Sequence, residues 1–446
     1  MIAEVADASP KDALAALEAA EQAAPAWAAR APRERGELLR RAFEAVSARA
    51  QELALVMTLE MGKPLAESRA EVAYAAEFLR WYSEEAVRAD GRFSVSPDGR
   101  SRLLVMRQPV GPSLLITPWN FPLAMGTRKL GPALAAGCTV VAKPAEQTPL
   151  SMLALAGILE EVGLPPGVCN VVTTSRPAEV VTPLLADRRL RKLSFTGSTE
   201  VGSALMAQAS ANVLRVSLEL GGNAPFLVFA DADLEEAVEG AVVAKMRNIG
   251  EACTAANRFY VQRPVAQEFA ARLAARLGSM RLGHGTEEGV EVGPLIDAAA
   301  RDRVDALVDD AVSRGAKALA ALAELPAHGY FYPPTVLEGV APGSRVLQEE
   351  IFGPVAPVCA FDRDEEAVEL ANDTPYGLVA YVFTRDLQRA LKVVEALETG
   401  MVGLNQGMVS NPAAPFGGTK ASGLGREGGP EGLDEYLETK YVAVRA

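Results

Sequence analysis

The sequence is poor in the residues that build metal sites and disulfides. In 446 residues it carries four cysteines, Cys138, Cys169, Cys253 and Cys359, and two histidines, His284 and His328. The cysteines are scattered and form no CxxC pair, so a disulfide framework is not expected and a reducing compartment fits. Without a His/Cys cluster a zinc site has little to be built from, and no metal is expected. Both histidines stand in glycine-flanked segments, "GHG" and "AHGY", which disfavours a Cys–His pair. No GxSxG elbow occurs, which disfavours a Ser–His–Asp hydrolase. Long hydrophobic runs are absent too: none approaches the roughly 20 residues needed to cross a bilayer. The opening "MIAEVADASPKDALAALEAAEQ" lacks a basic n-region followed by an apolar core, so no signal peptide and a cytoplasmic location are expected. Positive charge is scarce as well, 44 Lys and Arg against 57 Asp and Glu, a formal charge of −13. Nucleic acid and membrane are therefore not expected as partners, because phosphate binding needs a basic surface.

What is there is a large soluble chain, 49% hydrophobic and 23% charged. Its length exceeds one ordinary core, so two or three subdomains are expected. Residues 11–90 carry apolar side chains at three- and four-residue spacing and predict helices. "GRFSVSPDGRSRLLVMRQPVG" predicts a hairpin. From about residue 112 short apolar strands alternate with helices: "PSLLITPWN", "CTVVAKPA", "VCNVVTT", "RKLSFTGS" and "RVSLELGG" are the strands. That alternation predicts a doubly wound parallel sheet. A second alternating set runs from "APFLVFA" to about residue 410, and "YLETKYVAVRA" alternates like an edge strand. The expected fold class is α/β: a Rossmann-like doubly wound domain, a second α/β domain and a small β element.

Parallel sheets bind ligands at the carboxyl ends of their strands. Asn120, Lys143, Glu146, Ser198 and Glu219 all follow or end predicted strands. "FTGSTEVG" supplies only Gly197 and Gly202 of a dinucleotide fingerprint, a weak signal alone. Its place between a strand and a helix still suits a pyrophosphate. Cys253, among the small residues of "GEACTAANR", is either a buried inert thiol or a nucleophile. Glu219 is the carboxylate that could serve it as a base, or it is tied up in a salt bridge.

Seven segments decide between these readings: "TPWNFP", "VAKPAEQTP", "FTGSTEVG", "LELGGNAP", "GEACTAANR", "EEIFGPV" and "FGGTKASGLGREGG", in this order. Together they resemble the aldehyde dehydrogenase superfamily over essentially the whole chain. One departure is Gly250-Glu251, where members of the family usually have Gly-Gln. The resemblance implies Cys253 as nucleophile, Glu219 as general base and Asn120 as oxyanion donor. It implies an NAD or NADP site lined by Trp119, Asn120, Lys143, Pro144, Ala145, Glu146, Gly197, Ser198, Leu220, Glu350 and Phe352. A glutamate at position 146 accepts from the adenosine ribose and repels a 2′-phosphate, which favours NAD; Arg176 could offset that repulsion. The implied layout is a cofactor-binding domain over 1–90 and 110–221, a catalytic domain over 222–418, and an oligomerisation element over 91–109 and 431–446, giving a homodimer or homotetramer.

Arg128, Arg247 and Ser410 match positions that line the substrate mouth in that superfamily. Most arginines are surface charges. Here Arg, Arg and Ser resemble the succinate-semialdehyde dehydrogenase branch, which implies a carboxylate clamp. A helix starting near Pro122 would place Arg128 about two turns in. The implied substrate is a small semialdehyde, with glutarate or 2-oxoglutarate semialdehyde as alternatives to succinate semialdehyde. A structural relative without activity is disfavoured by the intact Cys253, Glu219 and Asn120, and a CoA-acylating enzyme by Glu219. Ala255 stands where some relatives carry a second cysteine, so no thiol switch is expected.

Overall fold

The computed structural model describes residues 2–320 and 325–445. Four helices come first, Pro10–Ala28, Pro32–Ala48, Ala50–Met61 and Leu65–Glu85. The hairpin Arg92–Val95 and Ser101–Pro109 follows, and the C-terminal strand Leu437–Arg445 pairs with its second arm to make a three-stranded antiparallel sheet. The expected β element and edge strand are thus in place.

Two parallel sheets carry the rest. The first has the spatial order Gly423–Leu424, Arg215–Glu219, Lys192–Thr196, Ser113–Ile116, Val140–Lys143, Cys169–Val171. Five of its strands are parallel, and Gly423–Leu424 joins antiparallel against Glu219 and Leu218. Alternate side chains go to opposite faces, as the pleat demands. Leu114, Ile116, Leu193 and Phe195 pack with helices Pro10–Ala28 and Pro177–Ala186, whereas Leu115 and Ala142 face Leu65–Glu85 and Ala124–Ala136. On that second face two strands place polar residues side by side: Lys192 beside Arg215, Ser194 beside Ser217, Thr196 beside Glu219. The second sheet has the order Lys317–Ala320, Thr335–Glu338, Val355–Phe361, Ala256–Gln262, Ala224–Val228, Val379–Phe383, Met401–Leu404, all parallel except the first.

One expectation shifts. The helix after Asn120 begins at Ala124, so Arg128 stands about one turn in, not two. Residues 120–123 form the turn into it instead. Its first N–H groups need acceptors, and the Glu71 carboxylate takes those of Leu123 and Ala124 at 3.0 and 3.1 Å.

Candidate active site

Cys253 sits in a turn just before the strand Ala256–Gln262, and three residues with positive φ lead into it: Asn248 at 53°, Ile249 at 62° and Gly250 at 80°. A β-branched residue with positive φ is a strained choice, and such strain persists only where surroundings over-determine it. Here they do. Asn248 donates through Nδ2 to the carbonyls of Asn120 (3.1 Å) and Glu251 (2.9 Å), and its N–H goes to Glu67 Oε2 at 2.7 Å. Gly222 lets the turn come close, because a Cβ there would stand 2.4 Å from the Cys253 carbonyl oxygen. The strand ending in Glu219 and the turn carrying Cys253 therefore meet in one place.

Cys253 lines a cavity with Asn120, Arg128, Arg247 and Ser410, walled by Phe121 and Phe416. Burial pushes its thiol well above the usual range, and the nearby Glu219 adds to that; Arg128 and Arg247 oppose it. Glu219 is 3% exposed, and neither of its oxygens has a hydrogen-bond partner. Its nearest cation is Arg128, at 3.9 Å. Burial raises its pKa strongly, against the pull of Arg128. Both features suit a base that waits for a proton. Asn120 donates through Nδ2 to the Glu251 carbonyl at 2.9 Å, and the amide keeps a second hydrogen. Its own carbonyl is held by Lys63 Nζ at 2.7 Å, and that ammonium also pairs with Glu71 at 2.6 Å.

Arg128 and Arg247 differ. Arg128 is 1% exposed and pairs through Nε with Glu427 Oε2 at 2.6 Å. Glu427 also holds Lys129, which donates to Ser194 at 3.0 Å. Burial alone would push the Glu427 carboxyl up, but Lys129 and Arg128 carry it below its ordinary value. Arg247 rests on the rings of Phe121 and Tyr74, 4.8 and 5.4 Å from their centroids, and donates to Ser410 Oγ at 3.0 Å. No carboxylate pairs with it among the described residues.

A second cleft leads away from the thiol. It is lined by Lys143, Ala145, Glu146, Phe195 and the helix Thr199–Ala209, and it shares Pro118, Trp119, Thr196, Gly197 and Ser198 with the first cavity. Leu220, Glu350 and Phe352 line the inner part; Phe352 meets Trp119 edge-on at 5.5 Å. Glu350 Oε1 accepts from the Gly222 N–H at 3.2 Å, and burial pushes its carboxyl up to about 7. Ser198 caps the helix, accepting from Val201 N at 3.3 Å. A Cβ on Gly197 would stand 2.4 Å from the Phe195 ring, so the backbone lies flat over that side chain. A long cleft passing a helix N-terminus fits an extended ligand that carries phosphate. Of the sequence-derived cofactor residues, Pro144 alone lines neither cavity. Arg176 does not line them either; it pairs with Glu179 at 3.3 Å and Asp7 at 3.8 Å.

The chain matches the aldehyde dehydrogenase family over residues 1–442. It belongs to the aldehyde dehydrogenase family. As a member it is an oxidoreductase. It is 59% identical over 444 residues to a succinate-semialdehyde dehydrogenase of Paenarthrobacter nicotinovorans, covering 100% of this chain and 99% of that one. It is 51% identical to a glutarate-semialdehyde dehydrogenase of Pseudomonas putida over 429 residues, 96% of this chain and 89% of the other. Its fold is that of the crystal structure of succinate-semialdehyde dehydrogenase from Burkholderia pseudomallei, with a TM-score of 0.97, 48% identity, and coverage of 99% and 92% of the two chains. The doubly wound α/β reading agrees with that likeness.

The motifs did not point to Lys63, Glu67, Glu71, Tyr74 or Asn248. The first four lie in helical sequence before residue 85, where a charged or aromatic residue reads as an ordinary surface or core position. Glu427 lay inside a quoted motif, "GLGREGG", and only its ion pairs reveal its place. Among the described residues no group of three or more His, Cys, Asp or Glu side chains could hold a metal ion, and no helix is long and apolar enough to cross a membrane.

Proposed function

We propose that this aldehyde dehydrogenase oxidises succinate semialdehyde to succinate and takes NAD in preference to NADP. The observation that carries the substrate choice is Arg247. Its guanidinium lines the cavity of Cys253, is oriented by two rings and Ser410, and has no carboxylate within salt-bridge distance among the described residues. Arg247 is half-buried and forms no salt bridge among the described residues, and a cation so placed at the cavity wall suits an anionic ligand. With Arg128 it forms the clamp for the distal carboxylate, while the aldehyde end lies at the thiol. The apolar walls Phe121, Met125 and Phe416 cover the methylene groups between.

Cys253 Sγ adds to the aldehyde carbon as its proton passes to the neighbouring Glu219, which gives it up to solvent before the next step. The oxyanion so formed is held by the Asn120 amide and the Cys253 N–H, and one such donor is worth ~3 kcal/mol. The oxidation of the former carbonyl carbon needs a hydride acceptor, which bound NAD would supply. Glu219 then takes a proton from water, which hydrolyses the thioester. In total aldehyde, NAD and water give carboxylate, NADH and two protons. Lys143 and Glu146 would meet the adenosine ribose, the helix at Ser198 the pyrophosphate, and Glu350 the nicotinamide ribose. Glu146, 3.4 Å from Lys143, would face the 2′ position, and Arg176 pairs with Glu179 instead. A homo-oligomer built through the three-stranded sheet, which exposes Phe93 and Tyr441, completes the proposal.

A substrate panel with both cofactors tests it. Succinate semialdehyde should beat butanal, and NAD should beat NADP. Arg247→Leu should lose about ten- to a hundredfold in kcat/KM for succinate semialdehyde, as ~1.5–3 kcal/mol per charged hydrogen bond implies, and change butanal oxidation little. Preference for butanal in the unaltered enzyme, or equal losses on both aldehydes, would sink the clamp. A clear preference for glutarate semialdehyde would keep the clamp and move the assignment by one carbon.

A further inference from the structure

Arg128 faces two protein carboxylates and one cavity. Its Nε lies 2.6 Å from Glu427 Oε2 in an ion pair without a hydrogen bond, while its Nη2 lies 3.9 Å from Glu219 Oε2 and 3.1 Å from Met125 Sδ. The plane of the guanidinium carbon stands 4.1 Å from the centroid of the Phe416 ring. One edge is thus fixed and the other is only loosely engaged. That loose edge is shared between Glu219 and the cavity in which the substrate's carboxylate is placed above.

The other charges around Glu219 are committed. Lys129, from the same helix, is bound to Glu427 and Ser194. Arg426, from the segment after Gly423–Leu424, donates to the carbonyls of Gly418 and Gly425 at 2.9 and 2.7 Å. Glu427 lies between Arg128 and Lys129. On the catalytic turn, Cys253 is the remaining titratable neighbour. Arg128 is the only cation within 4 Å of Glu219 among the described residues.

We infer that Arg128 couples the far end of the substrate to the general base: a bound distal carboxylate draws the guanidinium's free edge away from Glu219, so carboxylated and plain aldehydes meet that base in different charge environments. The inference rests on the clamp proposed above. Arg128 acts here as a positioning residue, through Glu219. The sign follows from electrostatics. A cation beside a carboxylate favours its charged form, and within ~4–6 Å this is worth ~1–3 pK units. A substrate anion weakens that support and adds repulsion. Glu219 then holds its proton to higher pH and, once ionised, is a stronger base for water.

The experiment is thioester hydrolysis in single turnover, followed against pH for succinate semialdehyde and for butanal. Hydrolysis needs Glu219 ionised, so its rate rises with pH through the pKa of that group. In the unaltered enzyme the acid limb should lie about one pH unit higher for succinate semialdehyde than for butanal. Arg128→Leu should bring the butanal limb up to meet the other, and Arg128→Lys should leave part of the gap. Coincident limbs in the unaltered enzyme overturn the coupling, with no variant needed, and so does a gap that survives in Arg128→Leu. The clamp itself is read separately: an enzyme that favours succinate semialdehyde with coincident limbs keeps the clamp and loses the coupling, whereas one that favours butanal loses the clamp.

Discussion

Two buried glutamates stand in the same catalytic region, each 3% exposed, and they are treated in opposite ways. Glu71 is filled: one oxygen pairs with Lys63 at 2.6 Å, and the other accepts the N–H groups of Leu123 and Ala124. Glu219 is left empty, with no hydrogen bond to either oxygen. A buried carboxylate with both oxygens hydrogen-bonded is scaffold, because moving it would strand its partners. One without partners costs stability and is kept for what it can do. Burial alone would not tell them apart; the count of hydrogen bonds does.

The sharpest way to break this contrast is Glu219→Gln. Thioester hydrolysis should slow by ~10²–10⁴-fold, as expected on losing a general base. Intact-mass measurement should find an acyl adduct held on Cys253, and the thermal midpoint should not fall. Turnover at the original rate without an adduct would mean that another group activates water. Glu71→Gln should do the reverse. It strands Lys63 in a dry site, and breaking such a pair costs about 3–5 kcal/mol. Urea unfolding should report that loss, and activity should fall with it because Lys63 also holds the Asn120 carbonyl. An unaltered midpoint would remove Glu71 from the scaffold. The smallest effect is in the pH dependence of stability. Unfolded, Glu219 titrates near its ordinary 4.5; folded, burial raises it. Between those values the native state binds more protons, so stability falls as pH rises, by up to about 1.4 kcal/mol per pH unit for one group. Glu251, pushed up to about 8 by burial, and Glu350 add slopes of the same sign. Stability measured from pH 5.5 to 8.5 should therefore decline less steeply in Glu219→Gln than in the unaltered enzyme. Equal slopes would show that the empty glutamate is not the titrating group.

The contrast also marks how far the sequence could be read. Strand-end positions such as Asn120, Ser198 and Glu219 were legible, because a parallel sheet delivers its strand ends to one edge and the alternation of elements was regular. Cys253 was legible through its motif. Glu71 was not. Its neighbours in "AESRAEVAYAAEFLR" give an ordinary amphipathic helix, and its partners Leu123 and Ala124 lie more than fifty residues on. The helix start was misplaced for a related reason: Pro122 looked like the first helical residue, whereas the chain spends Asn120–Leu123 turning past Lys63 and Glu71. Arg128 was legible as a charge at the mouth. That Glu427 occupies one of its edges depends on a contact spanning 299 positions, which no local pattern encodes.

That contact has a consequence for how the enzyme comes into being. Synthesis runs from residue 1 upward, so Cys253, Asn120 and Glu219 all leave the ribosome well before Glu427 and the strand Gly423–Leu424 that packs beside Glu219. Until that segment arrives, Arg128 and Lys129 are two like charges side by side in a half-built core without their shared counter-ion. A nascent chain therefore carries the three proposed catalytic residues before the ion pairs of Glu427 are in place. If Cys253, Asn120 and Glu219 have the roles proposed, catalytic competence is expected only once the segment around Glu427 has packed against Arg128 and Lys129.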